Sequence, residues 1–177
     1  MLRYLITLQA PDRKGLVEQI AHAVSRHGGN WLDSELRHID GVFAAILLLE
    51  VPSLRMDELI EALECIDSLS LTYSKTSVAL KPIKRLSYNL VAYDRPGLVL
   101  DISNKINAIG INIEQFSSQY ETAGHTGIAL FRATIGLGLT DLAQEDQLVE
   151  SLYALLSLLH KSLGLPRGIF LNHFQLP

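Results

Sequence analysis

Along the chain, short apolar runs of strand character and longer stretches of helical spacing follow one another twice in the same order. Arg3–Gln9 reads as a strand. Lys14–His27 reads as a helix with Leu16, Ile20 and Val24 on its buried stripe, Asp12 as its cap and Gly28-Gly29 as its stop. Trp31–Ile39 and Val42–Val51 read as two strands joined at Asp40-Gly41, a pair suited to a tight hairpin turn. After Pro52-Ser53, Met56–Ile66 has helical spacing with Leu59, Ile60 and Leu63 on one side, and Ser70–Leu80 reads as a closing strand.

The second half repeats this order. Leu86–Tyr93 is a predicted strand, Pro96–Ile109 a helix started by Asp94 and stopped near Gly110, and Ile111–Tyr120 a strand. Thr122-Ala123-Gly124 predicts a turn into a strand over His125–Ile135, and Gly136-Leu137-Gly138-Leu139 a flexible joint. A long helix is expected over Asp141–Leu163, with Leu148, Leu152, Leu155, Leu156 and Leu159 as its apolar side. Gly164-Leu165-Pro166 then stops it before a last strand over Gly168–Leu176. Lys81-Pro82-Ile83-Lys84-Arg85 interrupts the apolar rhythm, so the expected organisation is a first domain over 1–80, a linker over 81–85 and a second domain over 86–177.

The repetition extends to individual residues. Asp12-Arg13-Lys14-Gly15-Leu16-Val17 returns as Asp94-Arg95-Pro96-Gly97-Leu98-Val99, and the same offset of 82 relates Gly28 to Gly110 and Asn30 to Asn112. Each copy predicts strand-helix-strand-strand-helix-strand, which is α+β: a ferredoxin-like βαββαβ unit with an antiparallel sheet and both helices on one face. Fewer than about ninety residues make a lone unit marginal, so contacts between copies or between chains are expected to add stability, a homodimer among them.

Composition narrows the chemistry. At 48% hydrophobic and 19% charged residues, the chain is expected to fold as a globular protein, and the net charge of −4 gives no general electrostatic reason to bind nucleic acid. No apolar stretch nears a membrane span, no signal-peptide pattern is present and Cys65 is the sole cysteine, so a cytoplasmic protein is expected. Cys65 lies in the second predicted helix, where a buried packing role outweighs nucleophilic chemistry. His22, His27, His38, His125, His160 and His173 are dispersed without metal-ligand spacing, and no phosphate-binding or dinucleotide glycine pattern occurs. No catalytic residue, metal or cofactor is therefore assigned.

The repeated loops are the remaining candidates. Gly15 and Gly97 permit a close approach at a helix start whose exposed N–H groups suit a carboxylate. Asn30 and Asn112, where the following strands begin, each offer a donor and an acceptor for a zwitterion. Taken alone, these residues serve equally as caps, turn glycines and turn-closing amides.

The two helix-start sequences, followed by Gly28-Gly29-Asn30 and Gly110-Ile111-Asn112, resemble the ACT domain, an amino-acid-sensing module. Nearly the whole chain is similar to tandem-ACT regulators of transcription. The resemblance implies binding of a small amino acid, with glycine the first to try, near Asp12, Arg13, Gly15 and Asn30 and near Asp94, Gly97 and Asn112. Pro96 stands in the second copy where Lys14 stands in the first, so the two sites are expected to differ. No segment is left over for a helix-turn-helix, so control of transcription would pass through contact with a DNA-binding regulatory protein. A ligand-independent interaction or scaffold protein is the alternative, and an amino-acid-metabolising enzyme the least supported reading.

Overall fold

The computed structural model describes residues 1–76, 84–122, 127–141, 144, 146–151, 154 and 170–175, and the chain divides into two compact units, Met1–Ala79 and Leu80–Pro177. In the first, β1 (Leu2–Pro11), α1 (Leu16–Arg26), β2 (Asn30–Ile39), β3 (Val42–Val51), α2 (Met56–Glu64) and β4 (Ser70–Lys75) follow in that order. The sheet has the order β2-β3-β1-β4, and each of its three pairings is antiparallel. Two-residue alternation along β1 and β3 places Ile6, Leu8, Ala10, Phe43, Ala45, Leu47, Leu49 and Val51 on one face. The stripes Leu16, Ile20, Ala23 and Val24 of α1 and Met56, Leu59, Ile60 and Leu63 of α2 close over that face. Burying each large aliphatic side chain contributes roughly 1.5–3 kcal/mol. This inner layer is therefore what holds the unit together.

The second unit contains β5 (Lys84–Tyr93), α3 (Leu98–Asn107), β6 (Asn112–Thr122), β7 (Ala129–Leu139) and β8 (Phe170–Gln175), and its sheet has the equivalent order β6-β7-β5-β8. Its core repeats the inner layer with Leu86, Tyr88, Leu90, Ile102, Ile106, Ile135 and Leu137, closed by Leu148 from the helical residues near 148. The offset of 82 survives in the irregularities. Register shifts fall between Trp31 and Asp33 on β2 and between Ile113 and Gln115 on β6, which makes Leu32 and Glu114 equivalent bulge residues.

Several expectations need correction. The stretch Gly136-Leu137-Gly138-Leu139 is not a joint but the end of β7: Leu137 and Leu139 are buried inward, while the two glycines lie under the side chains of Gln115 and Glu114. Cys65 is exposed, because it follows α2 as its C-cap, two residues beyond Leu63, and so has turned away from the buried stripe. β5 begins at Lys84 rather than Leu86, with Lys84 and Arg85 paired to Leu139 and Gly138. β4 ends at Lys75, and residues 77–80 of its predicted extension lie outside the described residues, as do Lys81, Pro82, Ile83, Ala123, Gly124 and His125. The same holds for Leu152, Leu155, Leu156, Leu159, His160 and the stop at Gly164-Leu165-Pro166, whereas Gln144, residues 146–151 and Ala154 are helical.

Candidate functional site

The strongest local repetition is the loop between the first strand and first helix of each unit. Beyond Pro11, the backbone N–H of Asp12 donates to the Gly41 carbonyl at 2.8 Å, and that of Asp94 donates to the Ala129 carbonyl at 2.9 Å. Both loops then turn through a glycine in the left-handed region, Gly15 at φ 81°, ψ 0° and Gly97 at φ 82°, ψ −2°. Each glycine carbonyl accepts the first helical bond at 3.0 Å, from Gln19 N–H and Asp101 N–H respectively. A non-glycine residue there costs about 1–2 kcal/mol. At Gly15 the requirement is purely conformational, since an added Cβ would meet nothing within 4 Å.

This geometry corrects the capping assignment. The N-cap of α1 is Gly15 and that of α3 is Gly97, and neither helix has a side-chain cap. Asp12 sits three residues earlier, prolonging the strand ladder, and its carboxylate lies 3.7 Å from His38 Nδ1. Asp94 is exposed at the equivalent position. With no side-chain oxygen over them, the first helical N–H groups remain suited to an anion from outside.

The arginines beside these glycines point differently. Arg13 donates from Nη2 to Gln19 Oε1 at 3.3 Å and from Nη1 to Asp67 Oδ2 at 3.3 Å. Its Nε is buried and has no hydrogen-bond partner among the described residues. Around it opens a groove of about 830 Å³, lined by Arg13, Lys14, Gly15, Gln19, His22 and Cys65 among others. Arg95 instead forms an ion pair with Asp101, in the first turn of its own helix, and donates to the Pro96 carbonyl at 3.1 Å. Arg13 is a candidate on the sequence, whereas its partners Gln19 and Asp67 emerge only from the fold. The offset of 82 maps Gln19 onto Asp101.

Asn30 and Asn112 are not beside these loops within their own units. Asn30 opens β2 opposite Glu50, which in turn faces Arg3 at the start of β1, and Asn112 opens β6 opposite Gly138, which faces Arg85. From Arg3 to Pro11 the strand advances roughly 26 Å at about 3.3 Å per residue. One amino acid therefore does not span Gly15 and Asn30 of one unit, or Gly97 and Asn112 of the other. The structure brings Arg13 and Gly15 into one groove and keeps Asp12 next to it, while the asparagines occupy the far ends of the sheets.

A second concavity, of about 500 Å³, lies on the outer face of the first sheet, where Thr7, Gln9, Glu35, Arg37 and Thr72 surround a floor that includes Ala44. Among the described residues, no group of three or more His, Cys, Asp or Glu is placed to hold a metal ion. Nor is any described helix long and apolar enough to cross a membrane.

Residues 3–72 match the sequence model of the ACT domain family, and with the same strand order in the second unit the fold is a tandem ACT-like one. Across nearly its full length the chain is similar to two solved structures. One is a protein described only as unknown, from Galdieria sulphuraria, with TM-score 0.78 and 17% identity over 99% of each chain. The other is provisionally described as a glycine cleavage system transcriptional repressor, with TM-score 0.67 and 20% identity over 98% of each chain. At these identities the likeness establishes the tandem fold. No curated protein sequence matches the chain.

Proposed function

We propose that the chain is a cytoplasmic regulatory protein that binds a small amino acid, glycine first among the candidates, and thereby changes its association with a DNA-binding regulatory protein. The observation carrying this reading is the repeated loop: a left-handed glycine at an uncapped helix start, with an arginine two residues before it, in both units. The ligand carboxylate would meet the helix-start N–H groups near Gly15 or Gly97 and the neighbouring Arg13 or Arg95. Asp12 and Asp94 would attract the ammonium group. Asn30 and Asn112, at the distant ends of the sheets, would serve a separate polar contact. Binding is reversible, with no bond made or broken, and it acts by favouring one of two states of the protein. Control of transcription is indirect, in keeping with the net charge of −4.

Calorimetric titration with glycine, serine and alanine tests the reading directly. Saturable and selective heat is the expected result, and it is expected to weaken in the folded Gly97→Val or Gly15→Val variant that carries the occupied loop. Absence of binding to all three, together with partner capture that no ligand alters, would replace the sensor by a ligand-independent interaction module. Sedimentation of the purified chain is expected to show a homodimer; a single monomeric species at micromolar concentration would remove that element.

A further inference from the structure

The two loops share their backbone but not their charge. At the position where Arg95 meets the carboxylate of Asp101, Arg13 meets the neutral amide of Gln19. Asp101 lies in the first turn of α3, where a negative charge also interacts favourably with the helix dipole. The second unit thus already pairs, within its own chain, the guanidinium that a ligand carboxylate would meet there. In the first unit the acid nearest Arg13 is Asp67, whose side chain is 85% exposed, against 43% for Asp101. An exposed pair of that kind is worth about 0–1 kcal/mol and is readily displaced. Lys14 adds a second cation and keeps its N–H, whereas Pro96 at the equivalent place has neither.

We infer that the two units have divided their roles: the Arg13–Gly15 groove receives the carboxylate of the effector, and the equivalent loop of the second unit is held closed by Asp101 acting as a built-in carboxylate. Gln19 and Asp101 are then the residues that decide which unit responds. This rests on the sensor reading above and adds to it a stoichiometry of one ligand per chain.

The test is a reciprocal exchange followed by calorimetry with glycine as the probe, each variant first checked for native circular dichroism. The wild-type chain is expected to bind one equivalent. Gln19→Asp is expected to weaken that site about 10- to 100-fold, the scale of a lost charge-assisted hydrogen bond. Asp101→Gln is expected to leave the first site unchanged and to add a second, weaker equivalent. Two equivalents in the wild type, or one equivalent that survives Gln19→Asp and disappears in Arg95→Gln, would overturn the division of roles while leaving the sensor reading standing. No heat from glycine, serine or alanine in any of the variants would remove the sensor reading itself, and the division with it.

Discussion

The outer faces of the two sheets, the faces turned away from the helices, are built on equivalent backbones and made of different chemistry. On β3 the outward positions are Val42, Ala44, Ile46, Leu48 and Glu50; on β7, matched through their partners on β1 and β5, they are Leu130, Arg132, Thr134, Gly136 and Gly138. The first face is apolar along the middle of β3, where Ile46 remains 49% exposed, and its polar groups, among them the Thr7–Thr72 hydroxyl pair, lie on the neighbouring strands. The second is joined by polar side chains. Arg132 donates to Glu121 at 2.6 Å, Thr134 to Asn89 at 2.7 Å and Arg85 to Glu114 at 2.9 Å. Cross-strand pairs of this kind contribute roughly 0.2–1 kcal/mol each, far less than the inner layer. Duplicated units therefore keep what the core and the loop require, and diverge where a side chain meets only water or another surface.

One pair of arginines shows how the divergence works. Arg3 reaches Glu50 on the adjacent strand at 4.0 Å. Its counterpart Arg85 faces Gly138 instead and passes over it to the bulge residue Glu114 on the next strand. A Cβ at position 138 would come within 2.5 Å of Glu114 Oε1. The glycine that resembled a hinge in the sequence is the gap through which a salt bridge crosses a strand.

The largest effects should come from the layer the units share. Ile20 and Ile102 are fully buried equivalents, and truncation of either to alanine is expected to cost about 2–5 kcal/mol in urea unfolding. A loss below about 1 kcal/mol at one of them would break the equivalence of the two cores. Next in size, Gly138→Val should cost about 1–3 kcal/mol by driving a side chain into Glu114, while Glu50→Val, at the matched position of the first sheet, should cost under about 1 kcal/mol. Equal losses in thermal melts would show that the outer faces tolerate volume alike.

Smaller still is the effect expected at the β2–β3 turn. Asp40 and Gly41 adopt φ 49° and 80°, a two-residue hairpin turn, whereas six residues separate β6 from β7. Gly41→Ala should cost about 1 kcal/mol, because added side-chain atoms have open space but a disfavoured backbone. Chemical denaturation resolves a change of that size, and an unchanged midpoint would remove the conformational argument. Smallest of all, Leu54→Ser at a 91% exposed position should stay within about 0.5 kcal/mol, and a larger loss would reveal a surface in use.

Most of this architecture is legible in the residue pattern. The alternation along β1 and β3, the stripes of α1 and α2 and the Asp40-Gly41 turn each follow from local rules, and the offset of 82 exposes the duplication and its loops. The pattern is ambiguous where one residue type serves two purposes. Asp before a helix suggested a cap, but Gly15 and Gly97 start the helices, and Asp12 and Asp94 extend the strand pairing. Alternating glycine and leucine in 136–139 suggested a joint, because the overlying Gln115 and Glu114 come from a different strand.

By itself, then, the sequence determined the α+β class, the two copies and the inner faces, since periodicity and turn chemistry act over a few neighbouring residues. Tertiary structure alone decided that Asn30 stands a strand's length from Gly15 and that Gly138 admits a cross-strand ion pair. It also decided that Arg13 meets an amide where Arg95 meets a carboxylate. Each of these depends on where chain segments meet and where side chains turn within the fold, and hydrogen bonds and ion pairs respond to distances of a few ångströms that spacing along the chain does not encode.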